Sequence, residues 1–223
     1  MSQRDRDAST RERLLDEAEA LFAEKGYNAV SVREIITAAN CNLAAINYYF
    51  GTKKNLYLEV FRSRWISRAR RVQEHFWRLL EDQKPLSLTV VVKCLAQTFL
   101  EGPFSDEENR RQHQLMGREM DRPTEASDLV HEQAMKPFFA KLAGIMRPLL
   151  PEKLTEEQLM LNIMSIFALV LHFYLARNGI SRITGRQYDT ALKAQLVEHI
   201  IRFSLTGLGQ GFTPEAETNQ ERN

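Results

Sequence analysis

Asn47 carries an amide that donates and accepts at once, the pattern that pairs with the major-groove edge of adenine. It lies in Asn42-Leu43-Ala44-Ala45-Ile46-Asn47-Tyr48-Tyr49-Phe50, a stretch of helical spacing without a charge. At about 100° per residue, Leu43, Ala44, Asn47 and Tyr48 fall within about 140° on one side. Ala45, Ile46, Tyr49 and Phe50 share the other side, with Ile46 and Phe50 as anchors into a small core with Leu21, Phe22, Ile35 and Ile36. The outward side is then small or polar, which suits close approach to a groove. Lys53 and Lys54 follow at the head of a further helix, whose free N–H groups and dipole already favour an anion. Ser31 can donate its hydroxyl to another phosphate. Contacts to the backbone position a protein on a duplex and contacts to base edges specify the sequence, and both kinds are represented here.

Capping signals say which elements must hold these side chains. Ser9 and Glu12 have capping-box spacing at the head of an amphipathic run (Leu14, Leu15, Ala18, Leu21, Phe22) that Gly26 closes. Ser31 and Glu34 open a short helix carrying Val32, Ile35 and Ile36, and Asn40-Cys41-Asn42 interrupts it. A second short helix runs from Leu43 to Phe50. Gly51 ends it, and Thr52 caps a fourth helix predicted to reach about Asp82. Residues 31–50 thus have the layout of a helix-turn-helix, whose second helix enters the major groove.

Five more helices are predicted, over about 86–101, 106–120, 125–149, 155–177 and 187–207. They are divided by Gly102-Pro103, Arg122-Pro123-Thr124, Pro148 to Pro151 and Gly179 to Gly185, and Ser105 with Glu108 and Thr155 with Gln158 are further capping boxes. Pro137 predicts a kink inside the third of them. No alternating run is long enough for a strand, so the expected class is all-α.

Other chemistries find little support. His131-Glu132 begins a zinc-protease pattern, but Met135 stands where the second His belongs. There is no Gly-rich phosphate loop, no C-x-x-C and no local nucleophile with its base, so neither an enzyme nor a metal or cofactor site is expected. Cys41 and Cys94 are too few for a disulfide scaffold. With no apolar h-region near the N-terminus, the expected compartment is the cytoplasm. Cys41 in the turn reads as a small apolar plug rather than a redox sensor.

The formal charge of +1 conceals an uneven distribution. Between Ser31 and Val72, eight basic residues (Arg33, Lys53, Lys54, Arg62, Arg64, Arg68, Arg70, Arg71) face two acidic ones, Glu34 and Glu59. The arginines of the fourth helix read as a mostly solvated face whose field assists encounter with DNA. Residues 159–176 carry no charge and just reach membrane-spanning length. Asn162, Ser165, His172 and the preceding capping box favour instead a helix buried between a core and a dimer partner, with no membrane involved.

The stretch from Thr10 to Leu58 resembles the N-terminal domain of TetR-family transcriptional regulators. The carrying residues are R-x-x-L-L-D-x-A-x-x-L-F-A-E-K-G-Y from Arg11 to Tyr27, V-S-V-R-E-I from Val30 to Ile35, and A-A-I-N-Y-Y-F-G-T-K-K-N-L-Y from Ala44 to Tyr57. The resemblance implies a recognition helix from Asn42 to Tyr49, in which Asn42, Leu43, Ala44, Ala45, Asn47, Tyr48 and Tyr49 are the candidate DNA contacts. It places Ser31, Arg33 and Lys53 where the family holds phosphates. Position 47 is often Tyr in the family, where it touches the backbone, and Asn47 departs from that pattern.

R-E-M-D-R-P-T (Arg118 to Thr124) and F-x-L-A-R (Phe173 to Arg177) resemble one subgroup with its own C-terminal domain type. The implied division is a tail (1–8), a helix-turn-helix domain (9–52), an effector-binding and dimerisation domain (53–210) and a second tail (211–223). The implied function is a ligand-responsive repressor that binds a palindromic double-stranded DNA operator as a homodimer and is released by a small, largely apolar or aromatic molecule. An activator of the same fold and, from another class, a helical protein–protein adaptor are the alternatives. Phe99, Phe104, His113, Met116, Met120, Met135, Phe139, Phe167 and His172 are candidate ligand contacts, since Met and aromatic side chains adapt to apolar guests. Ordinary core packing competes for each of them.

Overall fold

The computed structural model describes residues 3–102, 106–151 and 153–209, and every regular element among them is helical. α1 (Gln3–Lys25) starts earlier than expected, so Ser9 and Glu12 lie inside it and do not cap it. Nothing between Gln3 and Ser9 is Gly or Pro, so no breaker stops the helix from extending. Gly26 ends it with φ +84°, a conformation that costs a residue with a Cβ but not glycine.

α2 (Val32–Ala38) and α3 (Leu43–Tyr49) are the two short helices, joined by a turn in which Asn40 takes φ 51°. α4 runs on from Lys53–Val60 through a π-helical segment, Phe61–Ile66, to Ser67–Glu81. Then come α5 (Leu88–Leu100) and α6 (Asp106–Asp121). α7 consists of Glu125–Val130, a π-helical His131–Met135 and Lys136–Met146, closed by a 3-10 turn at Arg147–Leu149. The widened turn falls just before Pro137, which has no N–H to give and whose ring crowds the preceding turn.

α8 (Glu156–Leu175) begins with the expected capping box of Thr155 and Gln158. α9 (Arg177–Thr184) was expected as a turn. Gly179 is accommodated within it, and Gly185, at φ 67°, is the residue that ends it. α10 (Thr190–Gly207) follows, capped by Asp189. The predicted box at Ser105 lies outside the described residues, as does the C-terminal tail from residue 211.

Two compact units result. The described residues of Met1–Arg71 and Phe104–Pro137 form one, and those of Val72–Pro103 and Phe138–Asn223 form the other. In the first unit, Leu14, Leu15, Phe22, Ile35, Ile46 and Phe61 share one buried cluster with Leu115 of α6 and Ala126, Val130 and Ala134 of α7. In the second, α5 packs on α8 and α10 around Phe76, Val92, Leu95, Leu142, Ile163 and Ile200.

Arg62, Arg70 and Arg71 of α4 are exposed, as a mostly solvated face predicts, and Arg64 and Arg68 depart from it. Arg68 lies buried in a bidentate pair with buried Glu19 of α1, and its Nη2 is 3.0 Å from Oε2. Arg64 reaches Glu12 at 2.7 Å and Asp16 at 2.8 Å, also on α1. The Arg64 guanidinium and its hydrogen bonds hold the Glu12 carboxyl below its ordinary range. Arg11 returns the pairing to Glu59 at 2.5 Å. Two of the eight basic residues of this stretch, Arg64 and Arg68, are thus engaged in stitching α1 to α4.

α8 is buried on one side only. Leu159, Ile163, Ile166 and Val170 enter the core at helical spacing, whereas Leu161, Met164 and Leu175 are about half exposed or more. The expectation of a helix covered all round thus holds for one stripe of it within this chain.

Candidate nucleic-acid interface

α3 presents the face that its periodicity predicts. Leu43, Ala44, Asn47 and Tyr48 are exposed, and Ile46 and Phe50 are buried. Leu43 is 55% exposed and Tyr48 78%, high values for large apolar groups on a rigid element. Ala45 and Tyr49 are half-buried and pack against the core, at the edge of the face. The Tyr48 ring meets Tyr49 edge-on, with centroids 4.9 Å apart. Asn42 caps the helix, its Oδ1 accepting from the Ala45 N–H at 3.0 Å.

The flanking groups are less free than their sequence suggests. Ser31 accepts from the Glu34 N–H, and its own hydroxyl and N–H both donate to the Glu34 carboxylate, at 2.8 and 2.7 Å. Lys25 adds a charge at 3.1 Å. The Ser31 backbone donor, then its hydroxyl, then Lys25 pull the Glu34 carboxyl down to about 2. A carboxyl lowered on folding contributes stability above its unfolded value and loses it as pH falls through the folded one, so this box persists throughout the neutral range. For Ser31 to hold a phosphate, its hydroxyl must turn away from Glu34.

Lys53 rests over the Tyr27 ring, Nζ 4.3 Å from the centroid. Partial desolvation lowers its pKa, and the charge of Glu34 offsets part of that. Tyr27 in turn packs on Tyr57, which lies edge-on to Phe22. This aromatic support for Lys53 was not predicted, although the placement of Tyr27 next to the Gly26 cap is a signal that could have suggested it. Lys54 is paired with Glu125 at 2.5 Å, and Arg33 is exposed on α2.

R-E-M-D-R-P-T has a structural role within this unit. The Arg118 guanidinium donates to the carbonyls of Ala23 and Glu24, at the free end of α1. A Cβ on Gly26 would meet this guanidinium at 3.0 Å, a second reason for glycine there. Buried Glu119 accepts from the Tyr57 hydroxyl at 2.6 Å, the Thr124 N–H at 2.8 Å and the Ser127 N–H at 3.2 Å. Burial first, and then this bond to Glu119, raise the Tyr57 phenol pKa far above its ordinary value, so it stays a donor.

The candidate ligand contacts are divided between the two units. His113, Met116, Met120 and Met135 belong to the first unit, and Met120 is 76% exposed. Phe99, Phe139, Phe167 and His172 belong to the second. There Phe167 meets Phe99 and Phe139 edge-on at 5.3 and 5.2 Å, while His172 is exposed. Phe104 lies outside the described residues.

A helix-turn-helix with an exposed second helix and cationic flanks defines the class: a DNA-binding transcriptional regulator. Residues 14–60 match the bacterial regulatory proteins of the TetR family, and residues 89–208 match the C-terminal domain of the HTH-type transcriptional dual regulator CecR. The chain belongs to the TetR family and carries a CecR-type C-terminal domain. The HTH-type transcriptional dual regulator CecR of Shigella flexneri is 26% identical over 212 residues, 91% of this chain and 92% of that one. A TetR-like regulator from Rhodococcus sp. RHA1 aligns with a TM-score of 0.62 at 15% identity, over 91% of this chain and 97% of that one. The hemolysin II transcriptional regulator HlyIIR aligns with a TM-score of 0.59 at 20% identity, over 92% and 99%. At these identities the structural matches speak for the fold. Proteins of this family bind DNA and usually act as dimers with small-molecule effectors.

Proposed function

We propose that this protein is a ligand-responsive repressor that binds a palindromic operator as a homodimer and is released by a small, largely apolar or aromatic molecule. The observation that carries this reading is the outward face of α3, formed by Leu43, Ala44, Asn47 and Tyr48 above a fully packed Ile46. One helix of seven residues reads few base pairs, and two-fold symmetry doubles the contacts and requires a palindrome. The open apolar stripes of α8 (Leu161, Met164, Leu175) and α10 (Phe203) supply a surface for self-association. The "dual regulator" in the name of the Shigella flexneri relative favours activation at some promoters as a second reading.

The test is binding to duplexes selected from a random-sequence pool, measured against salt. A dimer neutralising six to ten phosphates should lose about 10³–10⁵ in affinity between 50 and 200 mM salt. Leu161→Glu should shift the protein to monomers in sedimentation and weaken binding to the selected duplex. Absence of binding at low salt would turn the assignment toward the adaptor.

Lys53→Ala should weaken selected and scrambled duplexes about equally and reduce the salt slope by about one, as a phosphate contact does. A loss confined to the selected duplex would instead make Lys53 a base reader.

A further inference from the structure

From Asn42 to Tyr49 no residue is charged, and that constrains what α3 can read. Guanine shows two acceptors in the major groove, N7 and O6, and its strongest partners are Arg and Lys. Cytosine shows an amino donor, best met by Asp or Glu. The exposed surface of α3 has none of these four residue types. It has two apolar groups at its start, Leu43 and Ala44, the ring of Tyr48 and the amide of Asn47. Among the described residues, no hydrogen bond engages that amide. The candidate phosphate contacts Arg33, on α2, and Lys53, at the head of α4, lie outside the helix.

We infer that the operator half-site is read beneath α3 through A·T pairs: Leu43 and Ala44 meet thymine 5-methyl groups, and Asn47 spans N6 and N7 of an adenine. This rests on the DNA-binding reading above and adds the chemical class of the bases. Thymine is the one base with an apolar group in the major groove. An exposed leucine at the tip of a rigid helix gains from that contact by removing apolar surface from water. Tyr48 sits beside Asn47 and is exposed, so its hydroxyl can reach a phosphate.

The experiment uses the full chain and duplexes recovered from a random-sequence pool. Recovery of a consensus tests the DNA-binding reading by itself. Within a recovered duplex, each thymine of a half-site is then replaced by deoxyuridine, which removes only the methyl group. One or two positions per half-site should weaken binding about three- to fivefold each. Leu43→Ala should erase the sensitivity at one of them while binding the deoxyuridine duplex as the parent protein does. Asn47→Ala should cost about tenfold or more at one adenine and little on scrambled DNA. The inference is overturned if a consensus is recovered but every thymine tolerates deoxyuridine. It is equally overturned if guanine→7-deazaguanine exchange abolishes binding and Arg33→Ala removes that effect, which would assign the reading to α2.

Discussion

Arg68→Ala should lower the unfolding free energy by about 3–5 kcal/mol, the loss expected when one partner of a buried ion pair is removed and the other stays buried and charged. Glu19 is 1% exposed, and both Arg68 nitrogens at the fork bond its carboxylate. After truncation the carboxylate faces α4 with no other cation among the described residues inside hydrogen-bond reach. The pair itself has a smaller net worth, because both ions were taken out of water to form it. Glu19→Leu with Arg68→Met should therefore recover most of the loss. Urea unfolding checks this, with Trp65 as reporter in a Trp77→Phe background. Trp65 lies in the same unit and donates to the Gln112 carbonyl at 3.1 Å. A single-variant loss below about 1 kcal/mol, the scale of an exposed pair, would mean that water reaches Glu19.

That pair also shows where reading along the chain stops. The caps at Ser31, Thr52 and Thr155 are local, because residues three apart satisfy each other, and all three are in place. The outward face of α3 was legible for the same reason, since a period of 3.6 decides it. The role of Arg68 was not. Its partner is 49 residues away, and no spacing rule connects them. Arg62, Arg70 and Arg71 are exposed as their composition suggests, and Arg64 and Arg68 differ only because α1 brings Glu12, Asp16 and Glu19 alongside. The grouping of α6 with the helix-turn-helix is equally non-local. It depends on Leu115 entering a core built by α1 and on Arg118 finding carbonyls 94 and 95 residues earlier. α9 escaped notice because a glycine inside a short helix costs only about 1 kcal/mol and packing can override it.

Glu119→Ala should be comparably damaging, at about 3–5 kcal/mol, through hydrogen bonds and not through a lost ion pair. The carboxylate holds the Tyr57 hydroxyl, the Thr124 hydroxyl and two N–H groups in the first turn of α7. Bonds to a charged acceptor contribute about 1.5–3 kcal/mol each, and the Tyr57 hydroxyl, left buried without a partner, carries the desolvation cost. Glu119→Gln keeps the shape but turns an amide donor toward groups that also donate, so it should recover little. Tyr57→Phe removes one donor and leaves the others paired, and about 1–2 kcal/mol is expected. The same residues lead to the surface proposed to face DNA. Tyr57 packs on Tyr27 with centroids 4.9 Å apart, and Tyr27 carries Lys53. Loosening Tyr57 should let that support shift, so affinity for a selected duplex should fall in the order of stability loss, Glu119→Ala more than Tyr57→Phe. Thermal unfolding and duplex titration on the same samples test both halves. Unchanged stability in Glu119→Ala would mean that water replaces the carboxylate. Full duplex affinity in a folded but destabilised variant would separate Tyr57 from Lys53.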